Sequence, residues 1–221
     1  MTRKLGLLGA VVLAAGLGYF ALNTSTPGST ELTAPIGAAS ASEVDTSSVV
    51  EMSIGQEDAP VTIVEYASFT CPHCAAFHQD GFKRLKADYI DTGKVKLVYH
   101  DVYFDKYGLW ASMIARCGGP EKFFGIADLL YKGQSTWARA AEPNGIVEEL
   151  KKIGRLAGIE NDKLEACMTD KTMAETLVAW FQENAEKDKI NATPSFIVNG
   201  QLVKNMPYDE FKAVIDAELA K

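Results

Sequence analysis

The chain has 221 residues, 47% hydrophobic and 23% charged, which suits one ordinary globular domain with an appendage and excludes a collagen or a small disulfide knot. Lys and Arg number 22 against 29 Asp and Glu, so the formal net charge is −7; with no concentrated basic patch, a nucleic-acid partner is not expected. Four cysteines suggest metal or redox chemistry in the cytosol and disulfides outside it, so the compartment has to be read first.

Arg3 and Lys4 precede an uncharged run over residues 5–22, rich in Leu, Val, Ala and Gly. This is the pattern of an export signal or a membrane anchor. As a helix it would span about 27 Å, enough for a thin hydrocarbon core. Small-residue cleavage sites stand far downstream, near Ala38, which favours a retained anchor; cleavage near Asn23 to Thr26 is the alternative. Either way the remainder is expected outside the cytosol, in the periplasm or an equivalent space. Residues 23–48 are Ser, Thr, Ala, Pro and Gly with few large apolar side chains, the composition of a disordered linker.

Residues 61–69 (VTIVEYASF) read as a buried strand running into Cys71-Pro72-His73-Cys74. Phe77, Phe82, Leu85 and Tyr89 then recur at helical spacing until Thr92-Gly93, and residues 94–99 (KVKLVY) read as a second strand. A strand, helix, strand order predicts two parallel strands in one sheet. Between Tyr107 and Asn191 the pattern is amphipathic helix throughout, with four to five helices punctuated by Pro120, Gly133, Pro143 and Gly158. Residues 193–202 return to strand residues around an Asn199-Gly200 turn, and 208–219 close with a helix.

Two cysteines separated by two residues, where a strand ends and a helix begins, have a direct chemical logic. The first meets the unpaired N–H groups and positive dipole end of the helix, which stabilise a thiolate. Cys71 is therefore the expected nucleophile, and Cys74, one turn in, the resolving thiol. His73 adds a donor or partial positive charge, and Pro72 gives up an N–H that the first turn leaves unpaired. A zinc site would need a second cysteine pair, and haem attachment would need His where Ala75 stands; a purely structural disulfide gives no reason for the placement. No metal and no cofactor beyond the cysteine pair itself are expected.

The string Glu65-Tyr66-x3-Thr70-Cys71-Pro72-His73-Cys74, a helical insertion and then Thr193-Pro194 resembles the DsbA family of thioredoxin-fold thiol:disulfide oxidoreductases. The resemblance covers residues 49–221. It implies an α/β thioredoxin fold in two pieces, 49–106 and 190–221, with an all-helical domain, 107–189, inserted between them. It implies that Pro194 is a cis-proline facing the cysteine pair, leaving the Thr193 backbone to pair with an extended substrate. Glu65 would be a buried carboxylate accepting the proton of Cys74, although the lysine that accompanies it in the best-known member is replaced by Val98; an exposed strand residue is the alternative. Cys117 and Cys167 fall on inward-facing stripes of the insertion, and they resemble the second bridge of some α-proteobacterial relatives; two unpaired core cysteines are the alternative. His78 and His100 read as packed or exposed singletons. Aromatic residues of the insertion region, Phe104 and Trp137 among them, read mostly as core.

The expected function is donation of the Cys71–Cys74 disulfide to reduced, unfolded exported proteins, with reoxidation by a membrane partner of DsbB type, as the resemblance implies. Two alternatives stand beside it: a disulfide isomerase or reductase kept reduced by a membrane electron donor, and a tethered chaperone-like binding module with structural disulfides.

Overall fold

The computed structural model describes residues 44–140 and 142–221. The expected export or anchor segment 1–22 lies outside the described residues, as does most of the expected linker. Among the described residues no helix is long and apolar enough to cross a membrane. Residues 44–48, assigned to the linker on composition, are held against the folded body: the Thr46 hydroxyl donates to Glu183 at 2.8 Å.

Five strands form one sheet: β1 (Met52–Ile54), β2 (Val61–Ala67), β3 (Val95–Asp101), β4 (Ser195–Val198) and β5 (Gln201–Lys204). Their spatial order is β1-β3-β2-β4-β5, with β2 and β3 parallel and every other pairing antiparallel. The parallel pair follows from the helical crossover between the two strands, since parallel neighbours cannot be joined by a tight turn. The β4–β5 hairpin turns on Asn199 (φ 45°) and Gly200 (φ 85°), the two positive φ values that match a hairpin to the strand twist. Composition does not reveal β1, because three residues are too few for a period and their partner is β3, over 40 residues away.

The crossover is not one continuous helix. Helix α1 (Pro72–Gln79) stops at Asp80, α2 (Gly81–Leu85) restarts, and a π-helical turn (Lys86–Ile90) follows. At the break the Phe77 ring packs so close to Gly81 that a Cβ there would lie 2.7 Å from it. Apolar spacing survives such a kink because Phe82, Leu85 and Tyr89 still point into the core. Among the described residues the insertion holds five helices, α3 (Lys106–Cys117), α4 (Pro120–Trp137), α5 (Pro143–Leu156), α6 (Asn161–Thr169) and α7 (Lys171–Lys187), and α8 (Tyr208–Leu219) follows β5.

Glu65, Tyr99 and Phe196 are register partners and so share one sheet face. Two apolar clusters build on this face: one around α2 and α8, and a larger one joining Phe69, Cys74 and Tyr99 to α3, α4, α5 and α6. Trp137 is buried at the centre of the insertion, whereas Phe104 is exposed, contrary to its reading as core; it sits in the loop before α3, where no element covers it.

The opposite face meets α7. Tyr66 donates its hydroxyl proton to Asp188 at 2.6 Å, and the His100 ring packs against Tyr66 and Trp180. His100 is buried with Nδ1 unpartnered, and burial pushes its pKa down to about 4; Asp188 attracts a proton there while Arg116 and Lys187 repel one. Between the ordinary value of 6.5 and 4, the unfolded chain binds this proton and the folded chain does not. Acidification through that window therefore favours unfolding, by about 3 kcal/mol from this one group. Denaturant titrations at stepped pH check this: His100→Phe is expected to flatten the slope of stability between pH 6.5 and 4 relative to the unsubstituted protein.

Candidate active site

The end of β2 and the start of α1 place the cysteine pair. After Ala67 the chain turns, with the Cys71 N–H donating to the Ser68 carbonyl, and Cys71 becomes the N-cap of α1 in an extended conformation (φ −80°, ψ 121°). Pro72 occupies the first helical position, where a missing N–H costs nothing. No cap side chain competes for the free N–H groups of this first turn, so they remain available to the sulfur. Cys71 and Cys74 are free thiols, the dithiol state of the pair.

The two sulfurs have opposite electrostatics. Hydrogen bonding from Cys74 is the main influence lowering the Cys71 pKa to about 5, assisted by the Thr193 side chain and the backbone N–H groups of Cys74 and His73, and opposed by burial. Cys74 is fully buried; burial pushes its pKa far up, and the charge of Cys71 and of Glu65 adds to the effect. At neutral pH the pair therefore holds one thiolate, at the outer sulfur. His73 acts through its backbone N–H, while its exposed side chain lines a shallow groove with Phe77 and Met206.

Thr193–Pro194 is a cis peptide bond, and the Thr193 carbonyl oxygen lies 3.5 Å from Cys71 Sγ. The loop from β2 to α1 is clamped from the insertion: Gln134 Nε2 on α4 donates to the carbonyls of Phe69 (2.8 Å) and Cys71 (2.9 Å). Asp105, the N-cap of α3, accepts from Tyr107 N, Gly108 N and the Thr70 hydroxyl, tying the same loop to the start of the insertion. Sequence reading did not find Gln134; a lone glutamine on a helix has no local signature, and its role is visible only when the two segments meet.

Glu65 has no exposed surface, which removes its reading as an exposed strand residue. Its register partner on β3 is Tyr99, while Val98 pairs with Val64. The group that reaches its carboxylate is His78, whose Nε2 stands 2.9 and 3.1 Å from the two oxygens. His78 is thus neither an exposed nor an unpaired histidine. Its signal in the sequence was its position four residues after Cys74, on the same side of α1.

Cys117 on α3 and Cys167 on α6 form a disulfide, with Cα atoms 6.0 Å apart and 50 residues between them in the chain. Cys117 belongs to the larger core cluster, and Cys167 packs against it.

A family model described as Thioredoxin matches residues 47–217. A Rickettsia bellii relative that carries protein-disulfide oxidoreductase in its name is 36% identical over 167 residues, covering 75% of this chain and 63% of its own length. The chain thus spans about three fifths of the length of the Rickettsia relatives it matches. Disulfide bond formation protein D of Bacillus subtilis is 30% identical over 171 residues, covering 75% of this chain and 76% of the relative. Among solved structures, alpha-DsbA1 of Wolbachia pipientis aligns with a TM-score of 0.72 at 27% identity, over 77% of this chain and 91% of that one. With a sheet continued on both sides of a helical insertion and a Cys-Pro-His-Cys site at the head of α1, the chain belongs to the thioredoxin family as a DsbA-like member.

Proposed function

We propose that this protein is an extracytoplasmic thiol:disulfide oxidoreductase that donates the Cys71–Cys74 disulfide to reduced, unfolded exported proteins. The observation that carries this reading is the placement of Cys71 at the N-cap of α1, 3.5 Å from the Thr193 carbonyl oxygen and with its pKa lowered to about 5, while Cys74 behind it has no exposed surface. A substrate thiolate attacks Cys71 Sγ; the Cys71–Cys74 bond breaks, and Cys74 departs and takes up a proton. A second substrate thiolate then attacks the substrate sulfur of the mixed disulfide, and Cys71 leaves as a thiolate. The protein disulfide is reduced to a dithiol and the substrate dithiol is oxidised to a disulfide.

Stabilising the Cys71 thiolate stabilises the reduced protein, and that makes the disulfide a stronger oxidant. Allowing for solvent screening at the outer sulfur, a pKa near 5 favours the reduced form by about 2 kcal/mol at pH 7. This corresponds to ~40 mV in the oxidising direction. An extended substrate would pair with the backbone of Thr193 beside the sulfur, and the groove containing Phe77 and Met206 would take apolar side chains. Reoxidation by a membrane quinone-linked partner of DsbB type, and tethering by the N-terminal segment, complete the proposal.

The test is the redox equilibrium of the Cys71–Cys74 pair against glutathione, with alkylation of Cys71 followed as a function of pH. A midpoint near pH 5 and a potential well above the ~−270 mV of thioredoxin are expected. A thioredoxin-like potential would overturn the oxidase reading in favour of a reductase, and no reversible exchange at all would favour a binding module.

A further inference from the structure

Cys74 presents a proton problem that Cys71 does not. When the Cys71–Cys74 bond breaks, the departing sulfur is fully buried, so water cannot supply the proton that neutralises it. The titratable side chains gathered around that end of α1 are Glu65 from β2, His78 from α1 itself, Tyr99 from β3 and Tyr131 from α4. The two phenols hydrogen-bond to each other, and burial raises both far above the range in which they could release a proton. That leaves the Glu65–His78 pair.

The geometry of the pair is fixed on every side. The His78 ring stacks on Tyr131 at 4.3 Å and on Phe82 at 4.8 Å between ring centroids, so the imidazole is held between two aromatic faces. Nε2 stands within hydrogen-bond reach of both Glu65 oxygens, so imidazole and carboxyl group can share a proton between them. His78 is one helical turn beyond Cys74, and the Glu65 charge is felt at the Cys74 sulfur.

We infer that His78 is a positioning residue for the exchange reaction: it holds Glu65 toward Cys74 and resupplies the proton that Glu65 passes to the departing Cys74 sulfur. In the forward direction the substrate sulfur bonds to Cys71 and the Cys71–Cys74 bond breaks. The pair starts with one proton more than a carboxylate and a neutral imidazole; Glu65 passes that proton to Cys74 Sγ, which leaves a Glu65 carboxylate beside a neutral His78, and the pair later regains a proton from solvent. No further oxidant or reductant enters. The inference rests on the proposed function only in that the pair undergoes thiol–disulfide exchange.

The experiment is single-turnover reduction of the oxidised full chain by dithiothreitol from pH 5 to 8, with each variant expressed as a ratio to the unsubstituted protein so that the thiolate fraction of the reductant cancels. His78→Gln keeps a donor for Glu65 and cannot carry a second proton. It is expected to slow the step about 10-fold at pH 8 and to approach the unsubstituted rate toward pH 5. Glu65→Gln should lose a similar factor, and the double variant no more than Glu65→Gln alone. A ratio independent of pH, or losses that multiply, would overturn the inference and leave His78 a purely structural partner. Should His78→Gln not fold, the unsubstituted protein in deuterated solvent decides: a slowing of at least about twofold is expected, and no slowing overturns the inference. Dithiothreitol reduces any accessible disulfide, so these outcomes are read even if the glutathione equilibrium rejects the oxidase reading.

Discussion

Cys71→Ser is expected to abolish thiol–disulfide exchange, with a loss of at least about 10³-fold in the rate of oxidising a reduced test protein. The size of the effect follows from the position of this sulfur. It is the N-cap of α1, it receives the hydrogen bonds that lower its pKa to about 5, and the only other sulfur of the pair is fully buried. A serine hydroxyl in the same place cannot form the mixed disulfide at all. Cys74→Ala has a different signature. Cys71 still reacts with an incoming disulfide, but the intramolecular thiol that would resolve the adduct is gone, together with its high effective concentration. Mixed disulfides at Cys71 should therefore accumulate in cells and be visible as higher-mass species on non-reducing gels that disappear on reduction. Cys71→Ser should show none. If Cys74→Ala traps nothing while the protein is folded, exchange through Cys71 is not its function.

The second large effect concerns stability. The Cys117–Cys167 bridge closes a loop of 50 residues between α3 and α6, and chain-entropy reasoning assigns such a closure about 4 kcal/mol. Replacing both cysteines with Ala is expected to lower the melting temperature by roughly 8–16 °C, given 2–4 °C per kcal/mol for a domain of this size. Both residues sit in or against the larger core cluster, so the loss includes some packing as well as the unfolded-state entropy. The Cys71–Cys74 potential should stay unchanged, because neither bridge sulfur contributes to the hydrogen bonds or charges that set the Cys71 thiolate. Calorimetry and the glutathione equilibrium on the double variant check the two halves of this expectation separately.

Much of this arrangement was legible in the amino-acid order because it depends on local rules. The β-branched and aromatic run over β2, the Pro at the first position of α1, the Asn199-Gly200 turn and the amphipathic runs of the insertion each act within one element, and the observed strands and helices follow them. The cysteine pair was legible for the same reason: a three-residue spacing at a strand-to-helix junction is itself a local feature. Features depending on two distant segments were not legible. β1 forms by pairing across more than 40 residues. Gln134 clamps a loop over 60 residues earlier in the chain.

By itself, then, the sequence determined which sulfurs face a helix N-terminus, since capping and dipole effects act within one turn. It also determined that a helical block interrupts a sheet. The tertiary structure alone decided what surrounds that site. Burial of Cys74, full enclosure of Glu65 and the stacking of His78 between Tyr131 and Phe82 arise where β2, α1, α2 and α4 converge. Desolvation and charge pairing depend on distance through space, and a linear order of residues does not contain that distance.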